Sequence, residues 1–199
     1  MPSCFRPAVT NRTVMLGTYN IIVSGEGGQG VLSIAEIIAY AAWLQGRQAV
    51  CVPYFSTEKR GGVSTAFAQI GDRPISFPKF RRADLWVALS QRAVDRIGPY
   101  LREGTTVIVN SHLVGDLSSI ESYGPHAIDA TALATERLKK PRTFNMIILG
   151  AMLRFVPGIT EEGFAAALDK QFAAQYGRDP ELRDLNRQAL DLGYGLLSS

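Results

Sequence analysis

An apolar run, residues 19–24, ends in the hexapeptide GEGGQG at residues 25–30, and a helical period begins directly after it. No other stretch restricts the fold as strongly. Continuous apolar residues that stop at glycines read as a parallel strand buried on both faces. From Gly30 to Leu44 the residues Val31, Ile34, Ala35, Ile38 and Ala42 share one helical face, and Gly46 supplies a stop. A second strand follows in RQAVCVP, residues 47–53. Strand, glycine turn, helix and strand make a βαβ unit, whose crossover is expected to be right-handed.

The alternation continues downstream. Gly61 and Gly62 break the chain before a third strand, VSTAFAQI (63–70), and RPISFP (73–78) reads as a short hairpin partner or loop. ADLWVALS (83–90) and TTVIVN (105–110) read as buried strands, and HAIDA (126–130) as a weaker one. Helices are expected over QRAVDRIGPYL (91–101), TALATERL (131–138) and NMIILGAMLRF (145–155), with Asn145 as the cap of the last. Thr160 is placed to cap EEGFAAALDKQF, and Asp179-Pro180-Glu181 to open the final helix as cap, first-turn proline and dipole partner. The pattern implies an α/β chain: a three-layer Rossmann-like fold with a mostly parallel sheet and a helical C-terminal region. Residues 1–15 read as a flexible leader, with Met15 an alternative start, and 16–199 as one domain.

Composition excludes several classes. A net charge of +3 is too small and too dispersed to indicate nucleic acid, and the dense basic run KFRR (79–82) reads as a solvated face. Cys4 and Cys51 are the only cysteines, and His112 and His126 the only histidines. Two thiols cannot build a four-cysteine iron–sulfur or zinc site. So few thiols, without disulfide spacing, fit a reducing cytoplasm. No apolar stretch is long enough to span a membrane, since VLSIAEIIAYAAWL is short and interrupted by Glu36. His112 has no visible acid or nucleophile as partner and reads as a turn residue; Trp43 and Trp86 read as core or interface packing.

Glycines at 25, 27 and 30 suit the turn, close-approach and helix-packing places of a dinucleotide-binding loop, and the following helix offers its positive N-terminus to an anion. Gln29 can orient a polar ligand or cap the turn. An NAD site, however, wants an acid at the end of the second strand, for the ribose hydroxyls. Here Pro53 and Tyr54 stand in that place, the first acid is Glu58, and Arg47 and Lys59 do not make an NADP phosphate site. A tight packing turn, a stand-alone NAD(P)- or FAD-dependent enzyme and a non-catalytic nucleotide or phosphate-binding module all remain open on these residues.

A second loop, PYFSTEKRGGVS (53–64), follows the second strand, at the carboxyl edge where α/β sheets bind ligands. Arg60 offers a planar donor fork for phosphate or carboxylate, Glu58 can pair with it, and Gly61 and Gly62 let backbone approach closely. Asn110 ends a central strand at the same edge.

Together the stretches GEGGQGVLSIAEIIAYAA, PYFSTEKRGGVS, ADLWVALS, TTVIVNS and NMIILGA resemble the gamma subunit, or gamma domain, of the 2-oxoacid:ferredoxin oxidoreductases of the pyruvate, 2-oxoglutarate, ketoisovalerate and indolepyruvate type. The resemblance runs from about residue 19 to about residue 193. YFSTEK departs from the commoner YGPE type of sequence at that place.

The resemblance implies a reaction divided among chains. A 2-oxoacid is oxidatively decarboxylated on thiamine diphosphate, electrons leave through iron–sulfur clusters to ferredoxin, and coenzyme A takes the acyl group. Alpha and beta subunits would hold thiamine diphosphate and Mg, and an iron–sulfur subunit or ferredoxin the clusters, in a cytoplasmic hetero-oligomer. This chain would bind no cofactor or metal by itself and would contribute no catalytic residue. What it implies here is assembly and a coenzyme A or interface surface formed by Gly25, Gly27, Gly28, Gln29, Gly30, Glu58, Arg60, Gly61, Gly62 and Asn110.

Overall fold

The computed structural model describes residues 17–55 and 62–197; the leader, Cys4, Glu58, Lys59, Arg60 and Gly61 lie outside them. Six strands form one sheet: β1 (Thr18–Glu26), β2 (Gln48–Phe55), β3 (Val63–Gly71), β4 (Leu85–Ala88), β5 (Thr106–Asn110) and β6 (His126–Ile128). Their spatial order is β2-β3-β1-β4-β5-β6. β1, β4, β5 and β6 pair in parallel, and β3 runs antiparallel to both its neighbours.

The expected βαβ neighbours are therefore separated. The helix α1 (Val31–Leu44) carries the chain from β1 to β2, but β3 lies between those two strands and pairs with each. Burial explains the order. Ala66, Ala68 and Ile70 on one face of β3 are fully buried, and Val63, Thr65 and Gln69 on the other are buried as well, so this strand needs cover on both faces and takes an interior place. β2 contains Pro53, which cannot donate to a ladder, and goes to the edge where that costs least.

Strand residues alternate between two cores. Ile21, Val23, Leu85, Val87 and Ile108 pack with α1 and with the C-terminal helices α4 (Phe144–Leu153), α5 (Glu161–Gln171) and α7 (Glu181–Leu196). Ile22, Trp86, Ala88, Val107 and Val109 face the other way, against Val94 and Ile97 of α2 (Gln91–Ile97). The two shorter helices are α3 (Ala130–Glu136) and α6 (Ala173–Arg178). Trp86 is fully buried, and its indole donates to Ser24 Oγ at 2.7 Å. That bond satisfies the one polar atom of an otherwise apolar side chain. Trp43, by contrast, is 58% exposed and stacks on Tyr40.

The C-terminal helices begin largely where their cap chemistry places them. Thr160 Oγ1 accepts from Gly163 N at 3.1 Å, as its position before two glutamates implies. α7 starts at Glu181 after Pro180, with no side-chain cap; Asp179 contributes its backbone carbonyl, to Leu182 N at 3.2 Å. α4 starts at Phe144, so Asn145 lies inside its first turn instead of capping it. Arg47 is buried to 2% exposure, where it pairs with Asp72 at 2.9 Å and donates to the Gly158 carbonyl. Among the described residues no helix is long and apolar enough to cross a membrane.

Candidate functional site

α1 and α2 leave adjacent parallel strands and pack on opposite faces of the sheet. The carboxyl ends of β1 and β4 thus form the crevice where open α/β sheets receive ligands. The GEGGQG turn fills the β1 side of that crevice. β1 continues through Gly25 and Glu26, and the chain reverses over Gly27, Gly28 and Gln29 before Gly30 opens α1. Gly28 and Gly30 have φ of +86° and +79°, the left-handed region that side chains with a β-carbon avoid.

Gln29 closes the turn upon itself. Its N–H donates to the Glu26 carbonyl at 3.3 Å, and its Oε1 accepts from Glu26 N at 2.7 Å. Of the two roles open to this residue, its side-chain oxygen serves the cap.

The glycines divide by what surrounds them. At Gly27 and Gly28 a β-carbon would meet nothing within 4 Å, so backbone lies open to solvent or to a ligand. At Gly25 a β-carbon would press on Gln29 Oε1 and stand 2.9 Å from Leu89 Cβ. At Gly30 it would lie 2.8 Å from Asn145 Nδ2. Gly25 and Gly30 are therefore packing positions, and Gly27 and Gly28 are the approach positions. Asn145, read from sequence as a cap, instead braces the helix mouth from α4.

A surface groove runs along this turn, lined by Glu26, Gly27, Gly28, Gly30 and the first turn of α1 on one side, and by Gly62, Val63 and Ser64 on the other. Pairing of Glu26 with Val63 and of Gly25 with Ser64 fixes the two walls in register. The first bond within α1 runs from Ile34 N to the Gly30 carbonyl at 2.9 Å, so the amides of residues 31–33 precede the helix ladder and have no partner within it. No acid stands in the first turn of α1. The nearby Glu26 faces Arg92 Nε at 4.0 Å, an exposed pair that tempers the negative charge at the rim. Arg92 had no signal in sequence beyond its place two residues after a strand-end serine.

Of the ten residues singled out from sequence, Gly25, Gly27, Gly28, Gln29, Gly30 and Gly62 come together here. Glu58, Arg60 and Gly61 are outside the described residues. Asn110 is not brought into the groove. It is fully buried on β5, two strands away from β1, with Nδ2 donating to Thr131 Oγ1 at 2.9 Å and Oδ1 lacking a partner among the described residues. His112 does have an acid beside it: Nδ1 lies 3.3 Å from Asp129 Oδ1, which also caps α3 through Ala132 N. The pair is about half exposed.

The strand order bears on dinucleotide binding. In that arrangement the strand carrying the ribose acid lies next to the glycine strand. With β3 interposed, the end of β2 lies about 10 Å from the end of β1, two strand spacings away. Pro53 and Tyr54 near that end offer no acid in any case.

Comparison with known proteins agrees with the geometry. The model of the family described as pyruvate ferredoxin/flavodoxin oxidoreductase matches residues 20–196. The 2-oxoglutarate synthase subunit KorC of Methanocaldococcus jannaschii is 35% identical over 150 residues, covering 74% of this chain and 80% of that one. The common gamma subunit of the pyruvate and ketoisovalerate oxidoreductases of Thermococcus litoralis is 33% identical, over 77% of this chain and 86% of its own. The crystal structure of the keto/oxoacid ferredoxin oxidoreductase gamma subunit from Geobacter sulfurreducens superposes with a TM-score of 0.77 at 30% identity, over 90% of this chain and 95% of that one. A 2-oxoglutarate:ferredoxin oxidoreductase from Magnetococcus marinus, solved with 2-oxoglutarate, coenzyme A and succinyl-CoA, shares the fold at 22% identity and a TM-score of 0.77, over 90% of this chain and 31% of that longer one. A sheet with one inserted antiparallel strand, a glycine turn at its switch point and near-complete correspondence to chains of this kind lead to one assignment: the protein belongs to the pyruvate ferredoxin/flavodoxin oxidoreductase family and is a gamma-type subunit.

Proposed function

We propose that this chain works in a hetero-oligomeric 2-oxoacid:ferredoxin oxidoreductase as the subunit that presents an anion-binding edge to coenzyme A. Alpha and beta subunits bearing thiamine diphosphate and Mg, and an iron–sulfur subunit or ferredoxin, would complete the complex in the cytoplasm. The observation that carries the reading is the groove of Gly27, Gly28, Gly62 and the open amides of α1. Thiamine diphosphate, when bound on a partner, supplies the decarboxylation chemistry.

What this chain's own atoms can do is hold negative charge. A diphosphate can approach the bare backbone of Gly27 and Gly28 and accept from the amides that precede the ladder of α1. Each such charge-assisted bond contributes about 1.5–3 kcal/mol, and the helix N-terminus about 0.3–1 kcal/mol more. Arg60, which the sequence places three residues before Val63, would add a guanidinium. The Thermococcus litoralis relative serves both a pyruvate and a ketoisovalerate enzyme, which supports a role in what the two reactions have in common: the acyl acceptor, not the oxoacid side chain.

Gly27→Ala is the informative substitution. It places a methyl in open space, at a position outside the left-handed region, so the fold should tolerate it. In the anaerobically purified complex, Gly27→Ala and Arg60→Ala are expected to raise the KM for coenzyme A about tenfold, a loss near 1.4 kcal/mol. The KM for the 2-oxoacid should stay as it was. An unchanged coenzyme A KM in a correctly assembled complex would take coenzyme A out of this groove.

A further inference from the structure

At the opposite edge of the sheet lies a second surface, built by the connection between β3 and β4. Its residues 73–83 contain four cations, Arg73, Lys79, Arg81 and Arg82, and no acid. The whole chain has a net charge of +3, so everything outside this segment sums to one unit negative. A second acid-free basic stretch, with Arg137, Lys139, Lys140 and Arg142, carries no exposed large hydrophobic residue, and this one does. All four cations of residues 73–83 are exposed.

Phe77 stands among them with 68% of its surface exposed, the most exposed of the large hydrophobic residues described. The segment has no helix or strand, yet it is firmly tied. Phe80 packs edge-on against Phe67 at 5.5 Å within the smaller core. Asn20 Nδ2 donates to the Arg82 carbonyl at 3.2 Å, and Asn20 N donates to Asp84 Oδ2 at 2.8 Å. Ala83 is fully buried and donates to the Tyr100 carbonyl at 2.9 Å. Pro74 and Pro78 fix φ on either side of Phe77. An aromatic ring is thus held outward, on a braced segment, inside a field of arginines.

That composition is what distinguishes the centre of a protein interface from ordinary surface: aromatic residues and arginine enriched, acids depleted. Bracing lowers the ordering entropy lost on binding. We propose that residues 73–82 form a docking surface for the acidic face of a heterologous subunit of the complex, with Phe77 entering an apolar pocket on it. This rests on the reading of the chain as a complex subunit. Charge complementarity selects the occupant, because a second copy of this chain would bring the same four cations against these.

The experiment uses the co-expressed complex with three forms of this chain: wild type, Phe77→Ala, and Arg81→Glu with Arg82→Glu. All three positions are exposed, and matched melting temperatures of the isolated chains establish that each variant folds. Subunit dissociation constants are measured from 50 to 500 mM salt. Charge reversal is expected to weaken association at least tenfold at low salt, with the difference shrinking as salt screens it. Phe77→Ala is expected to weaken it about tenfold at every salt concentration. Equal affinities for all three forms in a complex that does assemble would overturn the proposal. So would a charge reversal that abolishes binding of the isolated chain to RNA or anionic vesicles while leaving assembly intact. A wild-type chain that never associates with the co-expressed subunits would refute the complex-subunit reading itself, a separate result.

Discussion

Gly30 and Asn145 meet at the mouth of α1, where a β-carbon on the glycine would stand 2.8 Å from the Asn145 Nδ2 atom. The contact joins the glycine turn to the first turn of α4, across 115 residues of chain. It makes Gly30 doubly constrained, by its φ of +79° and by its neighbour.

Gly30→Ala is expected to lower stability by about 2–3 kcal/mol, of which about 1–2 kcal/mol is left-handed strain. A double-mutant cycle separates the parts. Gly30→Ala combined with Asn145→Ala should recover the steric share and leave the strain. Strictly additive costs in denaturant unfolding would mean that the two residues do not interact.

Gln29→Leu removes the acceptor that holds Glu26 N at 2.7 Å. The expected cost is about 1 kcal/mol, the usual range for one net hydrogen bond. Amide exchange at Glu26 should quicken, and exchange in the middle of β1 should stay slow. Unaltered exchange at Glu26 would show that the side chain is not the cap of the turn.

Two other glycines set the distance between helices. A β-carbon on Gly150 of α4 would strike the Leu190 carbonyl oxygen, and one on Gly193 of α7 would strike the Ile147 carbonyl oxygen. The helix backbones therefore touch at this crossing. Alanine at either position is expected to cost about 3 kcal/mol, because overpacking here cannot be relieved by turning a side chain. Thermal unfolding of the two single variants checks this, and a loss below 1 kcal/mol at both sites would contradict the close crossing.

Cys51 should be an inert thiol. Burial first, and the nearby Glu36 carboxylate second, push its pKa up to about 11. Both disfavour the thiolate, which is the reactive form. At pH 8 its alkylation should be about a hundredfold slower than that of an unhindered thiol, rising tenfold per pH unit toward pH 10. Peptide-resolved iodoacetamide kinetics read this directly. Fast, pH-independent labelling of Cys51 below pH 9 would contradict it.

The sequence by itself determined the elements. Continuous apolar runs at residues 19–24 and 105–110, bounded by glycine or polar turn residues, read as buried strands. Glycines at 25, 27 and 30 marked a tight turn into a helix, and Thr160 before two glutamates marked a helix start. These signals are local: a strand's two-residue period, a helix's 3.6-residue period and the steric freedom of glycine are all written within a few positions.

Tertiary structure decided the rest. Nothing near β2 announces that β3 will come between it and β1; that order follows from which strand must bury both faces and which can tolerate Pro53 at an edge. Asn145 looked like a cap because its neighbours in sequence allow one, but its actual partner is Gly30, which only the packing of α4 over the sheet brings near. Asn110 sat at the right edge for a ligand and was instead buried against Thr131 of α3. Arg47 found Asp72 and the Gly158 carbonyl in the interior. In each case the outcome depended on surfaces far apart in the chain competing for one buried space, and that competition leaves no trace in any short stretch of residues.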